Sequence, residues 1–489
     1  MKIMATKRQK KAARPYPVPP SAQAPDEPVL KQDTYIAAEQ LIAFHHEFDQ
    51  CFARNEMRVW SRFYLCGQLS MLVRKTIEPM VLGLHGVSIG LIRGLQHFIG
   101  QSHWYAKGVC EMLQILVGES LGEADGVLML DGSGFPKQGK HSVGVAPQYC
   151  GHLGKIANCQ HGIFVGYVSR KGYAFLDVQL YMPEVWFDAA HENLRYVCEV
   201  PKTLGFQTEP TIGANLLIRI AQRQVVPFQW IVADETYGKD PVFLDAIDKL
   251  PGWYLIEVPS DTRAWLRRPP VEPSKLNVFG RIRRKARVKP SAPAPQTLKA
   301  LAASLPTSAW KTYSIREGSQ GMTHAKFAFV RVTTLRHQLP GPRQWAILRR
   351  SEPNMQGEIE EKFFLSNASK TCSSFTFVRV SSLRWPIEML FEEAKSETGM
   401  EDYETRSWMG WHHHMAQSFM SHLFLMLLRL SFKKSSQPSP PHKHINLLPK
   451  RFLTSASHSV ISCRSSTITS TKTLPQPAHI ANVAQIEKC

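Results

Sequence analysis

Apolar residues return at helical intervals through the first quarter of the chain. Leu41, Phe44, Phe48 and Phe52 mark one stripe, and from about Lys31 to Leu121 only Pro79 interrupts a run rich in Leu, Ala, Phe and Arg. That spacing predicts a helical domain over 31–121. Past residue 121 the texture changes. Val127 to Leu130 is a short apolar run ending at Asp131, Gly162 to Ser169 and Tyr173 to Tyr181 flank a turn at Arg170-Lys171-Gly172, and Trp230 to Ala233 is a second buried run ending at Asp234. Strands are expected again at Trp253–Val258, Ala328–Thr333, Trp345–Leu348 and Lys362–Leu365, and helical texture returns from Leu383 to Leu430. Two apolar strands that each close on an aspartate, in a chain that later returns to helix, predict a mixed α/β core.

The ends are different. Residues 1–30 hold six basic residues and six prolines with almost nothing to bury, the composition of a basic disordered arm. Residues 431–489 are rich in Ser, Thr and Pro and read as a low-complexity tail. The expected organisation is therefore arm (1–30), helical domain (31–121), first part of a core (122–252), β-rich insertion (253–370), second part of the core (371–430) and tail (431–489).

Composition narrows the function. At 489 residues the chain can bury a large core, so a small disulfide-stapled scaffold is excluded. The net charge of +19 favours polyanionic partners. A membrane is not among the expected partners, because the most apolar stretch, Met415–Leu430, contains Gln417, Ser418, Ser421, His422 and Arg429 and reads as a core helix. Nine scattered cysteines without a C-x-x-C pair suggest a reducing cytosol, and the basic start runs into prolines rather than an apolar segment, so no signal peptide is expected. Between Arg263 and Lys289 ten basic residues meet one acid, Glu272, and the cluster Arg281, Arg283, Arg284, Lys285, Arg287 and Lys289 reads equally as a phosphate-facing loop or a solvated face.

Several motifs carry candidate chemistry. Gly134 to Lys140 matches a phosphate-cradling loop, but His141 stands where a hydroxyl should follow and the next residues are not helix-forming, which argues against a triphosphatase. Cys150/His152 and Cys159/His161 are paired like zinc ligands at an unusual spacing, and buried cysteine with bonded histidine is the commoner outcome. His412, His413 and His414 point three ways around a helix and are expected at surfaces and interfaces. The third constellation is distributed. On a helix Arg384, Lys395 and Glu388 fall at about 0°, 20° and 40°, whereas Glu392 lies at about 80° and Glu393 at about 180°. That stripe sets a carboxylate between two cations, to be added to Asp131 and Asp234. Two divalent ions about 4 Å apart need several carboxylates, and phosphodiester cleavage needs cations near the phosphate. Taken singly, each aspartate is more simply a helix cap or turn former.

Together these residues resemble the transposases of bacterial insertion sequences with a ribonuclease-H-like DDE domain, the branch whose core carries a β-rich insertion. The resemblance runs through Leu130-Asp131-Gly-Ser-Gly-Phe-Pro-Lys137-Gln-Gly-Lys140, Tyr149-Cys-Gly-His, Val232-Ala-Asp234 with Tyr237-Gly238, Phe364-Leu-Ser-Asn367 and Arg384-Trp385-x-Ile387-Glu388 with Lys395. Tyr403-Glu-x-Arg406-Ser-Trp408 and Gly410-Trp411-His412 complete it. It implies Asp131, Asp234 and Glu388 as the catalytic and metal-binding triad for two Mg²⁺ ions, with Mn²⁺ able to substitute. Arg384 and Lys395 fall in a Y-x₂-R-x₃-E-x₆-K signature whose tyrosine position is Ser381 here. Lys137, Lys140, Arg281, Arg283, Arg284, Lys285 and Arg287 are the further expected phosphate contacts. The implied activity is cleavage at inverted-repeat ends and joining of 3′-hydroxyls to target DNA, by a homodimer on double-stranded DNA at the bacterial nucleoid in the cytoplasm. The alternative is a catalytically disabled remnant that only binds DNA.

Overall fold

The computed structural model describes residues 37–434 except 38, 277–279, 281, 319–320, 355 and 384. The expected arm, and all but the first residues of the expected tail, lie outside the described residues. The first part is helical, with α1 (Asn55–Gln68), α2 (Ile77–Leu84), α3 (Ile89–Gly100) and α4 (Ala106–Ser120). Leu41 and Phe44 belong to a helix that stops at His46, and a 3₁₀ turn over Asp49–Cys51 carries the chain between Phe48 and Phe52, both fully buried. The apolar spacing thus survives a break in the helix.

Six strands form the centre: β1 (Val127–Pro136), β2 (Ala146–Cys150), β3 (Lys155–Val168), β4 (Tyr173–Tyr181), β5 (Trp230–Ala233) and β6 (Trp253–Val258). β1 pairs antiparallel with β3, which pairs antiparallel with β4, while β5 and β6 lie parallel on the other side of β1. The order β4-β3-β1-β5-β6 is a mixed sheet, as the α/β reading of the sequence expected and as the resemblance implies. All four residues of β5 are buried, as a strand covered on both faces requires. Between β4 and β5 runs α5 (Glu209–Arg223), in a connection long enough for the crossover.

Strands β7 (Arg263–Trp265), β8 (Lys311–Gly318), β9 (Gly321–Arg336), β10 (Leu339–Ser351) and β11 (Glu361–Ser366) continue the same sheet, joined to it where β11 pairs antiparallel with β6. β9 and β10 are longer than the apolar runs inside them. They turn through His337 and Gln338 at φ 49° and 64°, both left-handed, where a two-residue hairpin ordinarily uses Asn-Gly. The buried Arg336 guanidinium ties this hairpin to the centre through the carboxylates of Asp245 and Asp248 and the Tyr254 hydroxyl.

Helices α7 (Ser374–Ser382), α8 (Trp385–Thr398) and α9 (Trp408–Lys434) close the fold, once α6 (Glu235–Gly238) is counted after β5. α9 packs against α1, α3, α4, α8 and β4, so it is covered on nearly all sides and its polar residues need internal partners. They have them: the Gln68 amide donates to Ser418 at 2.8 Å, Ser421 donates to Gln68 at 2.8 Å, and the Gln417 amide donates to Ser61 at 2.9 Å. Among the described residues no helix is long and apolar enough to cross a membrane, and the cysteines are free thiols.

The surface placement expected for the three histidines is corrected. His413 is 1% exposed and His414 fully buried. His413 lies 2.9 Å from the carbonyls of both Ile99 and Trp104, and His414 accepts from the Tyr64 hydroxyl at 2.7 Å while facing the Met400 carbonyl at 3.0 Å. Polar partners brought in by α1, by the end of α3 and by loops make an interior imidazole tolerable.

Burial pulls His413 to about 4 and His414 to about 3, against 6.5 for a free histidine. In the unfolded chain both take up protons near 6.5, so the stability they contribute is complete above that pH and is lost as pH falls toward the folded values. Chemical denaturation should therefore show the urea midpoint dropping between about pH 7 and pH 4.5. His414→Gln, which retains a polar side chain without the titration, should shallow the drop; an identical profile for that variant would contradict the account.

Candidate active site

The parallel pair β1–β5 ends with Leu130 opposite Ala233, which sets Asp131 and Asp234 side by side just beyond it. Asp131 does not end its strand, as the apolar run suggested. β1 continues to Pro136 because β3 goes on pairing with it as far as Cys159, so Asp131 sits mid-strand where only β5 has stopped. This is the crevice at the carboxyl ends of parallel strands where α/β sheets place ligands. Asp131 accepts the Gly132 amide at 2.8 Å. Asp234 caps α6, accepting the Thr236 amide at 2.9 Å and the Thr236 hydroxyl at 3.3 Å. The cap role is thus real and coexists with a place in the crevice.

The third wall is α8. Ile387, Leu390, Phe391 and Ala394 bury one face of it, which leaves Glu388, Glu392 and Lys395 on the open side. Asp131, Asp234, Glu388, Glu392 and Lys395 line one cleft of about 910 Å³, together with Glu209, Tyr237, His161 and Glu401. Lys395 donates to the Gly134 carbonyl at 3.3 Å, lies 3.9 Å from Glu401 and sits over the Phe135 ring at 5.0 Å. Burial lowers its pKa. Glu393 points the other way, as the helical stripe required.

Other expected contacts lie elsewhere. Lys137 sits 3.4 Å over the Tyr403 ring, donates to the Tyr403 carbonyl at 3.2 Å and is pulled to about 8 by burial. Lys140 is exposed, away from the cleft wall. The basic run forms two small ribbons; Arg287, on one of them, and Lys285, between them, are exposed, and Arg287 pairs with Glu272 at 3.0 Å. Arg283 and Arg284 fall on the strand Ile282–Arg284, and Arg281 and Arg384 lie outside the described residues. Gly134–Pro136 belongs to β1 and no helix follows it directly, so no nucleotide loop is built there.

Glu209, Glu401 and the cleft role of His161 are not announced by the sequence. Glu209 follows the cap Thr208 at the start of α5, where a glutamate reads simply as a dipole partner. His161 stands out in the sequence only through its pairing with Cys159. Its Nε2 lies 3.7 Å from Glu209, and it explains Gly132, since a side chain there would come within 2.3 Å of that ring nitrogen. Burial lowers His161 to about 4 although Asp234 acts in the other direction; burial and then Asp234 raise Glu209.

A divalent cation suits this donor set in chemistry. Carboxylate oxygens are the ligands that hard cations prefer, and they gather in one cleft of a strongly basic chain. Among the described residues no group of three or more His, Cys, Asp or Glu side chains is already arranged to hold an ion, so binding would have to draw the carboxylates together. Tyr237, 1% exposed, puts on the same wall a hydroxyl without a hydrogen-bond partner.

The angle of α8 is fixed by Glu393. Its carboxylate accepts from Arg429 at 2.9 and 3.0 Å and from Tyr173 at 2.8 Å, with His422 at 3.3 Å. Burial pushes this carboxyl up, but the bonds to His422 and Arg429 outweigh it and hold it at about 2. Its contribution is therefore complete above the ordinary carboxylate range and lost as pH falls toward 2.

The DDE superfamily endonuclease family matches residues 47–322, a stretch that includes Asp131, Asp234 and Glu209 and stops short of α8. A probable transposase for insertion sequence element IS701 from Microchaete diplosiphon is 26% identical over 208 residues, 40% of this chain and 47% of that protein. The chain thus spans about half the length of this relative. Among solved structures, the piggyBac transposase synaptic complex with hairpin DNA is similar at a TM-score of 0.40 and 8% identity, over 91% of this chain and 83% of that one.

Glu393→Gln should destabilise the fold by about 3 kcal/mol, because it leaves the Arg429 guanidinium partly buried without its counter-charge. Equilibrium urea unfolding at neutral pH measures this. A midpoint equal to that of the parent protein would show that α8 is held by its apolar face alone.

Proposed function

The chain belongs to the DDE superfamily endonuclease family, and from that footing we propose that it is a transposase that cuts phosphodiester bonds at the inverted-repeat ends of an insertion sequence and joins the 3′-hydroxyls to target DNA. The observation that carries the proposal is the meeting of Asp131, Asp234 and Glu388, from three distant segments, on one cleft with Lys395. DDE superfamily endonucleases generally use divalent metals. Two Mg²⁺ ions, or Mn²⁺ in their place, would supply activation of the attacking oxygen and stabilisation of the leaving one.

Asp131, Asp234 and Glu388 would hold those ions. Lys395, fixed on the Gly134 carbonyl, keeps an ammonium group at the wall where charge develops on the scissile phosphate. Arg384 is assigned to the same phosphate by its place in the signature. Lys140 and the basic ribbons with Lys285 and Arg287 would meet DNA phosphates farther out, where such contacts position a duplex without reading it. Lys137, packed on Tyr403, would support that surface from behind. Sequence reading at the element ends falls to the N-terminal helices, on a homodimer bound to double-stranded DNA.

The test uses purified protein, labelled DNA carrying the end of the element, and Mg²⁺. Asp131→Ala, Asp234→Ala and Glu388→Ala should each reduce end cleavage by roughly a hundredfold or more. DNA binding should persist, because phosphate neutralisation comes from other residues. Near-normal cleavage by one variant removes that residue from the triad. Cleavage that survives a chelator defeats the metal reading, and parent protein that binds the ends without cutting them supports the disabled remnant.

A further inference from the structure

Glu209 enters the cleft from an element that none of the triad residues occupies. It is the first residue of α5, held in place by the Thr208 cap, whose hydroxyl accepts the Thr211 amide at 3.3 Å. Asp131 and Asp234 stand at the ends of strand pairing and Glu388 on α8, and Glu209 adds a carboxylate to the lining of the same cleft from α5. Its near neighbour there is the His161 ring, whose Nε2 lies 3.7 Å away, too far for a hydrogen bond.

Acidity alone would not mark a site, but Tyr237 adds an independent sign. Its side chain is 99% buried, lines this cleft and carries a hydroxyl with no hydrogen-bond partner. A buried donor left unpaired is unfavourable, so the hydroxyl calls for an acceptor. The surrounding charges are Asp131, Glu209 and Asp234, each of which acts against ionising the phenol. A donor placed among three carboxylates is satisfied once one of them turns an oxygen toward it, as a carboxylate fixed by a cation does. The backbone beneath is rigid. A side chain at Gly238 would meet the Glu257 carbonyl at 1.9 Å, so the Tyr237-Gly238 pair is pressed onto β6 and the ring cannot swing away cheaply.

We propose that Glu209 is a fourth carboxylate ligand of the divalent-cation site and that Tyr237 is its positioning residue, donating its hydroxyl to the ligand carboxylates. The inference rests on the function proposed above. It gives the site an oxygen donor on the α5 side, which Asp131, Asp234 and Glu388 do not supply.

Binding of Mn²⁺ alone to the full-length protein, without DNA, tests it by isothermal titration and by the Mn²⁺ electron-paramagnetic-resonance signal. Asp131→Asn serves as the reference for a lost ligand. Glu209→Gln should weaken Mn²⁺ binding about tenfold or more, and Tyr237→Phe should weaken it by a smaller factor at unchanged stoichiometry. If Asp131→Asn weakens binding while Glu209→Gln binds like the parent protein, Glu209 is no ligand and the proposed function stands. If neither variant differs from the parent, the cation site itself is misplaced and both proposals fall. Thermal melts establish that each variant is folded. Should Glu209→Gln not fold, Glu209→Asp, which keeps the charge but withdraws it by one methylene, replaces it under the same criteria.

Discussion

The site depends on one parallel strand pairing. Because Leu130 faces Ala233 at the last rung between β1 and β5, the two aspartates emerge as neighbours at the point where β5 stops and β1 runs on beside β3. A slip of one residue would send Asp131 to the other face of the sheet and break the arrangement. Two carboxylates set together repel, and the backbone holds them there because the strands are buried and because Gly132 and Thr236 amides accept the role of local donors. The interior pays for the proximity through the sheet, not through the site.

Glu388 and Lys395 reach the same cleft by a longer route. α8 has one apolar face against the sheet and one buried carboxylate, Glu393, bonded to Arg429 of α9. α9 in turn is bonded through His414, Gln417 and Ser418 to Tyr64, Ser61 and Gln68 of α1. A polar seam therefore connects the N-terminal helices with the third wall of the cleft. The charge distribution follows the same division, since a chain of net charge +19 concentrates acids in its cleft.

Much of this was legible in the residues. The two short apolar runs ending in aspartate located Asp131 and Asp234, and the helical stripe separated Glu388 and Lys395 from Glu393. Helix and strand texture also forecast the mixed sheet behind an N-terminal helical part. What remained hidden was long-range. Thr208-Glu209-Pro210 reads as a well-capped helix start, and nothing local says that this start faces a cleft. The histidines of α9 look like surface residues until Tyr64 and the Ile99 and Trp104 carbonyls are brought around them. The β9–β10 turn lacks the glycine that would have announced it, and β1 outlasts its apolar run because β3 supplies partners that no local pattern reveals.

The proposed function requires the segments around Asp131, Asp234 and Glu388 to share one cation site. Fe²⁺ loaded in place of Mg²⁺ generates hydroxyl radicals with ascorbate and peroxide, and these cut the backbone nearest the metal. Mapping the fragments by mass spectrometry should give cuts around 131, 234 and 388 together, all suppressed by excess Mg²⁺. Cuts confined to other parts of the chain, or indifferent to Mg²⁺, would contradict the account.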